Sequence, residues 1–245
     1  MQRSHIDYFA MIVETMTYEE ICREFDKIHD KYFEQLKDRL KPESRAISQI
    51  RRYMLKHKTA TDVLFKPITY KVDNNTTYYA IPKIPDCKFF MKNGPSALTF
   101  LTYANSHGMM AVMRVGYNDD EYLFATPHFF DRFIERFLDN KVSKSEAVCQ
   151  FFANNGNFVM TPYPLPDKPN NLIGVVDEAI LFGENVSPKI KIAKTCITRD
   201  MLFSSQMNTT NLLDDGVRMI IKDREQLRAL LMKPSTSRFN HYNMI

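Results

Sequence analysis

The spacing of apolar residues predicts a helical N-terminal quarter. Apolar side chains recur every three or four residues between about Thr17 and Leu40, which places them on one face of a helix. Thr17 and Glu20 form the capping-box pattern that begins such a helix, and Pro42 stops it. A second helix is predicted over about Glu43–His57. Its basic side chains invite a nucleic-acid interpretation, but its apolar face favours a docked helix with a solvated basic side.

From Asp62 the pattern changes to short runs rich in β-branched and aromatic residues, which predict strands. Turn-forming residues separate the first five of these runs, as in an antiparallel meander. The predicted strands are Val63–Val72, Thr76–Ile84, Ala97–Tyr103, Met109–Val115, Glu121–Ala125, Asn157–Thr161, Leu172–Phe182 and Lys189–Ile197.

Further helices are predicted between and after the strands. Two of them, at about Pro127–Asn140 and Ser143–Asn154, separate the fifth and sixth strands, and two more follow the last strand, at Arg199–Gln206 and Asp223–Lys233. The predicted fold is therefore α+β, with an N-terminal helical pair and a mostly antiparallel sheet with helices packed on one side.

The chain divides into an N-terminal helical segment, 1–58, an α+β domain, 59–233, and a loose tail, 234–245. Hydrophobic residues make up 44% of its 245 residues, which is enough to form a sizeable core. No apolar run approaches the roughly 20 residues that a membrane helix needs, and the N-terminus lacks the pattern of a signal peptide. We therefore expect a soluble, cytoplasmic protein without a membrane partner.

Several functional classes lose their usual sequence patterns. The chain holds only seven glycines and no glycine-rich phosphate loop, so we expect no nucleotide cofactor. Its four cysteines lie far apart and have no paired spacing, so we expect no zinc site and no redox pair. No helix-borne zinc-protease motif or hydrolase nucleophile motif occurs.

Basic charge is concentrated in the last quarter of the chain. The formal net charge is +4, and residues 186–245 hold ten basic against five acidic residues. Within the last predicted strand, Lys189, Lys191 and Lys194 precede Arg199, and these four side chains are candidates for contact with an RNA backbone. Their alternation with apolar residues also fits an ordinary half-buried strand with a solvated face, and both interpretations stay open.

The segment that begins at Pro127 carries a candidate catalytic row. His128, Arg132 and Arg136 are four residues apart, so a helix places them along one face. Arginine binds phosphate oxygens bidentately, and histidine can transfer a proton near neutral pH. RNA cleavage at the 2′-hydroxyl needs a base, an acid and positive charge on the phosphorane, without any metal. We assign proton transfer to His128 and transition-state stabilisation to the two arginines.

A structural interpretation of the same row competes with the catalytic one and is favoured over it. Asp131 and Glu135 lie within one helical turn of the arginines and can form ion pairs with them. A histidine at a helix start is often a capping or surface residue.

The region from 126 to 200 resembles the RelE-type ribonuclease-toxin superfamily. The resemblance rests on the His-x3-Arg-x3-Arg helix, a second helix that begins Ser143-Lys-Ser-Glu, and the three strands that follow. It implies an RNA-binding sheet beside the helices and metal-independent cleavage. The chain departs from that pattern by its long N-terminal part and by its acidic balance over residues 127–185. Three tyrosines are candidates for base stacking, namely Tyr117, Tyr122 and Tyr163.

Two functional hypotheses follow. The first is a metal-independent ribonuclease-like or RNA-binding domain that uses His128, Arg132 and Arg136. The second is a non-catalytic interaction module that holds a protein partner through its charged N-terminal helices. The first hypothesis is favoured if four side chains converge on one concave face, namely His128, Arg132, Lys194 and Arg199. Dispersal of these side chains, or pairing with carboxylates, favours the second.

Overall fold

The structure of the protein is a computed structural model. It describes residues 12–41, 43–115, 121–138, 142–155, 158–177, 179–203, 206–216, 218–219 and 222. Some sequence predictions fall outside these residues. They are Pro42 as the end of the first helix, the turn at 116–120 with Tyr117, the helix Asp223–Lys233 and the tail 234–245.

The helices begin where the sequence supplies a capping side chain. Thr17, Ser44, Asp86, Thr126 and Ser143 each accept a hydrogen bond from a backbone N–H in the first turn of a helix. The α-helices are α1 (Tyr18–Arg39), α2 (Arg45–Lys56), α3 (Cys87–Asn93), α4 (Pro127–Phe137) and α5 (Lys144–Asn154). Residues 206–216 form a further helical segment.

Ten strands form one sheet. They are β1 (Thr61–Leu64), β2 (Ile68–Lys71), β3 (Thr76–Asp86), β4 (Ser96–Asn105), β5 (Gly108–Val115), β6 (Glu121–Ala125), β7 (Val159–Pro162), β8 (Asn171–Val175), β9 (Ile180–Ser187) and β10 (Ile190–Ile197). The strand order is β1-β3-β4-β5-β6-β10-β9-β8-β7, and β2 also pairs with β3. Each pair is antiparallel except β6 with β10, where two meanders meet side by side.

Helices cover both faces of this sheet because its strands are apolar on both sides. Helices α4 and α5 share a core with one face, where Phe129, Phe133 and Phe151 are fully buried. Helix α1 covers the opposite face with Phe25 and Ile28, which are also fully buried. The α+β class, the N-terminal helical pair and the mostly antiparallel sheet are confirmed. The predicted packing of helices on one side of the sheet is wrong, because α1 covers the face opposite α4 and α5.

Two predicted strands are wrong because each is two strands in the structure. The run Val63–Val72 is split between β1 and β2 at Pro67, which has no N–H to donate to a sheet. The run Leu172–Phe182 folds back on itself as β8 and β9, with the N–H of Val176 bonded to the carbonyl of Ala179 at 3.0 Å. Both strands are largely buried, and in the sequence the charged pair Asp177-Glu178 interrupts the apolar run between them.

Two other helical features differ from prediction. Helix α3 was not predicted, although Asp86 caps its start and Gly94, at φ 78°, ends it. The predicted helix Arg199–Gln206 is wrong in extent, because it begins as a 3-10 turn, Arg199–Met201, and the described residues 202 and 203 that follow are not helical. The helical segment 206–216 then packs Leu213 against β8 and β9.

Candidate nucleic-acid interface

The predicted row of basic side chains forms along α4. Thr126 accepts a hydrogen bond from the N–H of Phe129 at 3.2 Å, and Pro127 occupies the first turn. His128 is exposed at this end of the helix. The buried phenylalanines hold α4 rigidly against the sheet, so the row has a fixed position.

The arginines of this row are already bound within the protein. The Nη1 atom of Arg132 lies 2.5 Å from Oε2 of Glu135, one turn further along α4. Arg136 donates a hydrogen bond to the backbone carbonyl of Cys196 on β10, which ties the helix to that strand. Their positive charge is therefore partly committed, and the exposed imidazole of His128 is the most accessible group of the three.

The basic side chains of β10 are also paired, with one exception. Lys191 forms an ion pair with Glu121, and the Nζ atom of Lys194 lies 2.6 Å from Oε2 of Glu184. Lys189 is exposed at the turn before β10. Strand β10 does lie beside α4, as the predicted RNA contacts require, but two of its three candidate lysines have carboxylate partners.

Arg199 lies in a concave surface region of about 400 Å³ that mixes both signs of charge. Its guanidinium makes two hydrogen bonds to the carboxylate of Asp214, at 2.5 and 2.7 Å. Arg218 lines the same region and contacts Asp215 at 3.2 Å, and Asp177 lines it as well. This balance of charges does not favour a phosphate group.

The predicted RNA contacts are dispersed over both sides of the sheet. By the two-residue alternation of β6, Glu121, the partner of Lys191, lies on the face that α4 and α5 cover. Glu184, the partner of Lys194, is paired across the strands with Ile192, whose side chain lies under α1. Dispersal and pairing together favour a function of the N-terminal helices over a function of the α4 row.

Tyr122, a candidate for base stacking, is part of the contact between α1 and the sheet. Its hydroxyl donates to the carboxylate of Asp26 on α1 at 2.7 Å, and Arg114 on β5 lies 2.6 Å from the same carboxylate. Burial, together with Asp26, raises the pKa of Tyr122 to about 12. Tyr163 is partly buried against β8. Both rings are therefore occupied by packing.

Helix α2 presents a different basic surface. Ser44 accepts a hydrogen bond from the N–H of Ile47 at 3.1 Å and begins the helix. One side of the helix buries Ile47, Ile50 and Met54 against α3 and the start of the sheet. This narrow apolar face leaves the rest of the helix open to solvent.

Three of the exposed cations of α2 line up. Arg45, Arg52 and Lys56 are seven and four residues apart, which places them on one face over about 16 Å of helix. Arg51 is also exposed, on the flank of this row. We refer to Arg45, Arg52 and Lys56 as the α2 row.

No ion pair neutralises the α2 row within the described part of the chain. The helix itself contains no acidic residue, and none occurs anywhere between Glu43 and Asp62. None of the ion pairs of the described residues includes Arg45, Arg51, Arg52 or Lys56. The row therefore keeps its full charge toward solvent.

Aromatic side chains lie between these cations. The Tyr53 ring is 42% exposed, and its centroid is 4.4 Å from that of His57 at an interplanar angle of 35°. The Phe65 ring also contacts the Tyr53 ring. The two rings are nearly perpendicular, at an interplanar angle of 84°, and their centroids are 5.6 Å apart. Arg52 and Lys56 immediately precede the two exposed rings in sequence.

The described residues hold no group of three or more His, Cys, Asp or Glu side chains placed to bind a metal ion. Burial raises the pKa of Cys196 to about 12 and that of Cys149 to about 11, so both thiols stay protonated at neutral pH. Among the helices described, none combines the length and the apolar character that a membrane crossing requires.

Sequence reasoning considered the basic residues of α2 but did not place them in the site. These residues are distinguished in the sequence by the lack of acidic residues near them, rather than by the number of basic residues. Asp131 and Glu135 accompany the arginines of α4, whereas the 18 residues that separate Glu43 from Asp62 contain none. The lack of acidic residues between Glu43 and Asp62 is therefore the sequence feature that distinguishes α2 from α4.

The chain matches no family model, no curated protein and no solved structure. The resemblance of residues 126–200 to RelE-type toxins therefore stays a prediction.

Proposed function

We propose that the protein binds RNA through helix α2. The observation that carries this proposal is the α2 row, three exposed cations on one helix face that form no ion pair with any of the described residues. Binding of a phosphate backbone by such a row releases condensed counterions, which supplies most of the affinity of sequence-independent binding. The bidentate geometry of arginine suits phosphate oxygens in particular.

A nucleic acid fits this surface better than a protein partner does. The centre of a protein interface is depleted of lysine and of charged residues in general, and its affinity comes from buried apolar anchors. The outward face of α2 is made of Arg45, Gln49, Arg52 and Lys56, with no apolar residue among them. Such a face suits a polyanion that stays partly hydrated.

The proposal is tested by fluorescence anisotropy with a labelled 12-nucleotide RNA at low salt. We compare the wild type with the triple variant Arg45→Gln, Arg52→Gln, Lys56→Gln. All three side chains are exposed, and no ion pair within the described part of the chain involves them, so we expect the variant to keep the fold. We expect its dissociation constant to rise about thirtyfold or more, because three charge-assisted contacts are lost.

A matched control removes the same number of charges elsewhere. The variant Lys168→Gln, Lys189→Gln, Lys194→Gln changes three exposed lysines around β8 to β10. We expect it to bind RNA within about twofold of the wild type, since distant exposed charges are screened. Equal weakening by both triple variants would show that only net charge matters and would reject α2 as the interface.

Metal-independent RNA cleavage is a second candidate, favoured by the exposure of His128 at the start of α4. It is tested by incubating RNA with purified protein in EDTA, with His128→Ala beside the wild type. Cleavage that the variant loses supports catalysis by this imidazole. Intact RNA with both proteins rejects cleavage and leaves the binding proposal in place.

A further inference from the structure

The α2 surface combines cations with exposed rings in an alternating order. The sequence from Arg52 to Lys58 reads Arg-Tyr-Met-Leu-Lys-His-Lys, so a cation directly precedes Tyr53 and cations lie on both sides of His57. In this segment the only buried residue is Met54. Both aromatic residues of the segment are exposed, Tyr53 at 42%, so their rings are accessible beside the surrounding charge.

We propose that the Tyr53–His57 pair is a stacking platform for an unpaired base, so that the protein prefers single-stranded RNA over duplex RNA. This inference rests on the proposed function, because the α2 row supplies the phosphate contacts. It adds the part of the RNA that is recognised, namely the open face of a base.

The geometry of the two rings supports a platform. Their centroids are 4.4 Å apart at an interplanar angle of 35°, and Tyr53 also makes a T-shaped contact with Phe65 at a centroid distance of 5.6 Å. The rings are therefore positioned before any ligand binds, which reduces the entropy lost on binding. A base can extend the stack because every base has a flat π-face.

Charge complementarity identifies the occupant. Arg52 and Lys56 lie next to the platform and on the α2 row, so a base on the rings places its flanking phosphates near guanidinium and ammonium groups. In a duplex the base faces are covered by neighbouring base pairs, and only the phosphates remain for the row. A single strand satisfies both parts of the surface together.

The experiment separates bases from phosphates with three ligands of equal length. They are a single-stranded oligouridylate, an abasic ribose-phosphate oligomer and a blunt RNA duplex. Dissociation constants are measured for the wild type, Tyr53→Leu and Tyr53→Phe at one salt concentration. The thermal unfolding midpoint of each variant is recorded, since Tyr53 also contacts Phe65.

For the wild type we expect the oligouridylate to bind about tenfold more tightly than the abasic oligomer, as stacking on one platform provides. Tyr53→Leu should remove this difference and leave the affinity for the abasic oligomer unchanged. Tyr53→Phe should keep the difference, because phenylalanine keeps the π-face. A variant that loses only structure would instead weaken binding of all three ligands together.

Two results would overturn the inference. If the wild type binds the abasic oligomer as tightly as the oligouridylate, the surface recognises only the phosphate charges. The proposed function then stands without the stacking platform. If Tyr53→Phe loses the base-dependent part as completely as Tyr53→Leu, the ring does not stack. Failure of all three ligands to bind the wild type would reject the proposed function itself.

Discussion

Helices α2 and α4 both carry basic side chains in a row. They differ in the apolar side chains that they bury and in the groups that their basic side chains contact. Helix α4 buries Phe129, Phe130 and Phe133 completely, while α2 is held by two isoleucines and a methionine. The cations of α4 contact Glu135 and a backbone carbonyl, whereas those of α2 have no acidic partner in the described chain.

This difference shows that the spacing of basic residues does not by itself identify a binding surface. Equal spacing produces a row on either helix, but nearby carboxylates decide whether the charge faces a ligand or the protein. Exposed ion pairs contribute little to stability, so the main consequence of Asp131 and Glu135 is to reduce the charge that α4 offers to a polyanion. Helix α4 is thus suited to support the sheet, and α2 is suited to bind.

The largest expected effect is a loss of stability that separates the structural role of α4 from the binding role proposed for α2. Phe133→Ala removes a fully buried ring from the core between α4 and the sheet. We expect the free energy of unfolding to fall by about 3–5 kcal/mol, measured by urea denaturation, while the folded fraction binds RNA with unchanged affinity. The matched change on α2, Arg52→Ala, should reverse this pattern, with stability nearly unchanged and RNA affinity reduced.

A smaller effect comes from giving α2 the acid that it lacks. Gln49 is exposed, four residues after Arg45 and three before Arg52. Gln49→Glu introduces ion pairs on both sides, so we expect RNA affinity to fall about three- to fivefold in an anisotropy titration. Gln49→Leu serves as the control for side-chain volume. Tighter binding by the glutamate variant would contradict the role of unpaired charge.

The smallest effect is the opposite change on α4. Glu135→Gln removes the partner of Arg132 and leaves that guanidinium free. We expect RNA affinity to rise by about twofold at most, because the freed charge lies on a different helix. A rise of tenfold or more would place the α4 row within the RNA interface and would favour the first sequence hypothesis over α2.

Local sequence signals predicted much of the fold. The capping residues and periodic apolar residues located α1, α4 and α5 within a few residues, and the turn at Asp73 located the hairpin of β2 and β3. The reversal between β8 and β9 was missed, although the charged pair Asp177-Glu178 interrupts the apolar run between the two buried strands in the sequence. The parallel pairing of β6 with β10 joins residues about 70 positions apart, as in Leu123 with Lys191, which periodicity does not encode.

The candidate site was only partly predictable for a related reason. The positions of His128, Arg132 and Arg136 along one helix face follow from spacing alone. The partners of Lys191, Lys194 and Arg199 come from other strands and helices, so their pairing depends on tertiary structure. The free charge of α2 was readable in principle from the missing acids, whereas the contacts of the Tyr53 ring with the His57 and Phe65 rings need the packing of the end of β1 beside α2.

The most direct test of RNA binding by α2 is the salt dependence of the RNA dissociation constant. For single strands the slope of log K against log salt changes by about 0.7 for each phosphate contact. We expect the triple variant Arg45→Gln, Arg52→Gln, Lys56→Gln to reduce this slope by about two relative to the wild type. The β10-side triple variant, Lys168→Gln, Lys189→Gln, Lys194→Gln, should keep the wild-type slope. An unchanged slope for the α2 variant, with a reduced slope for the other, would contradict α2 as the phosphate-binding surface.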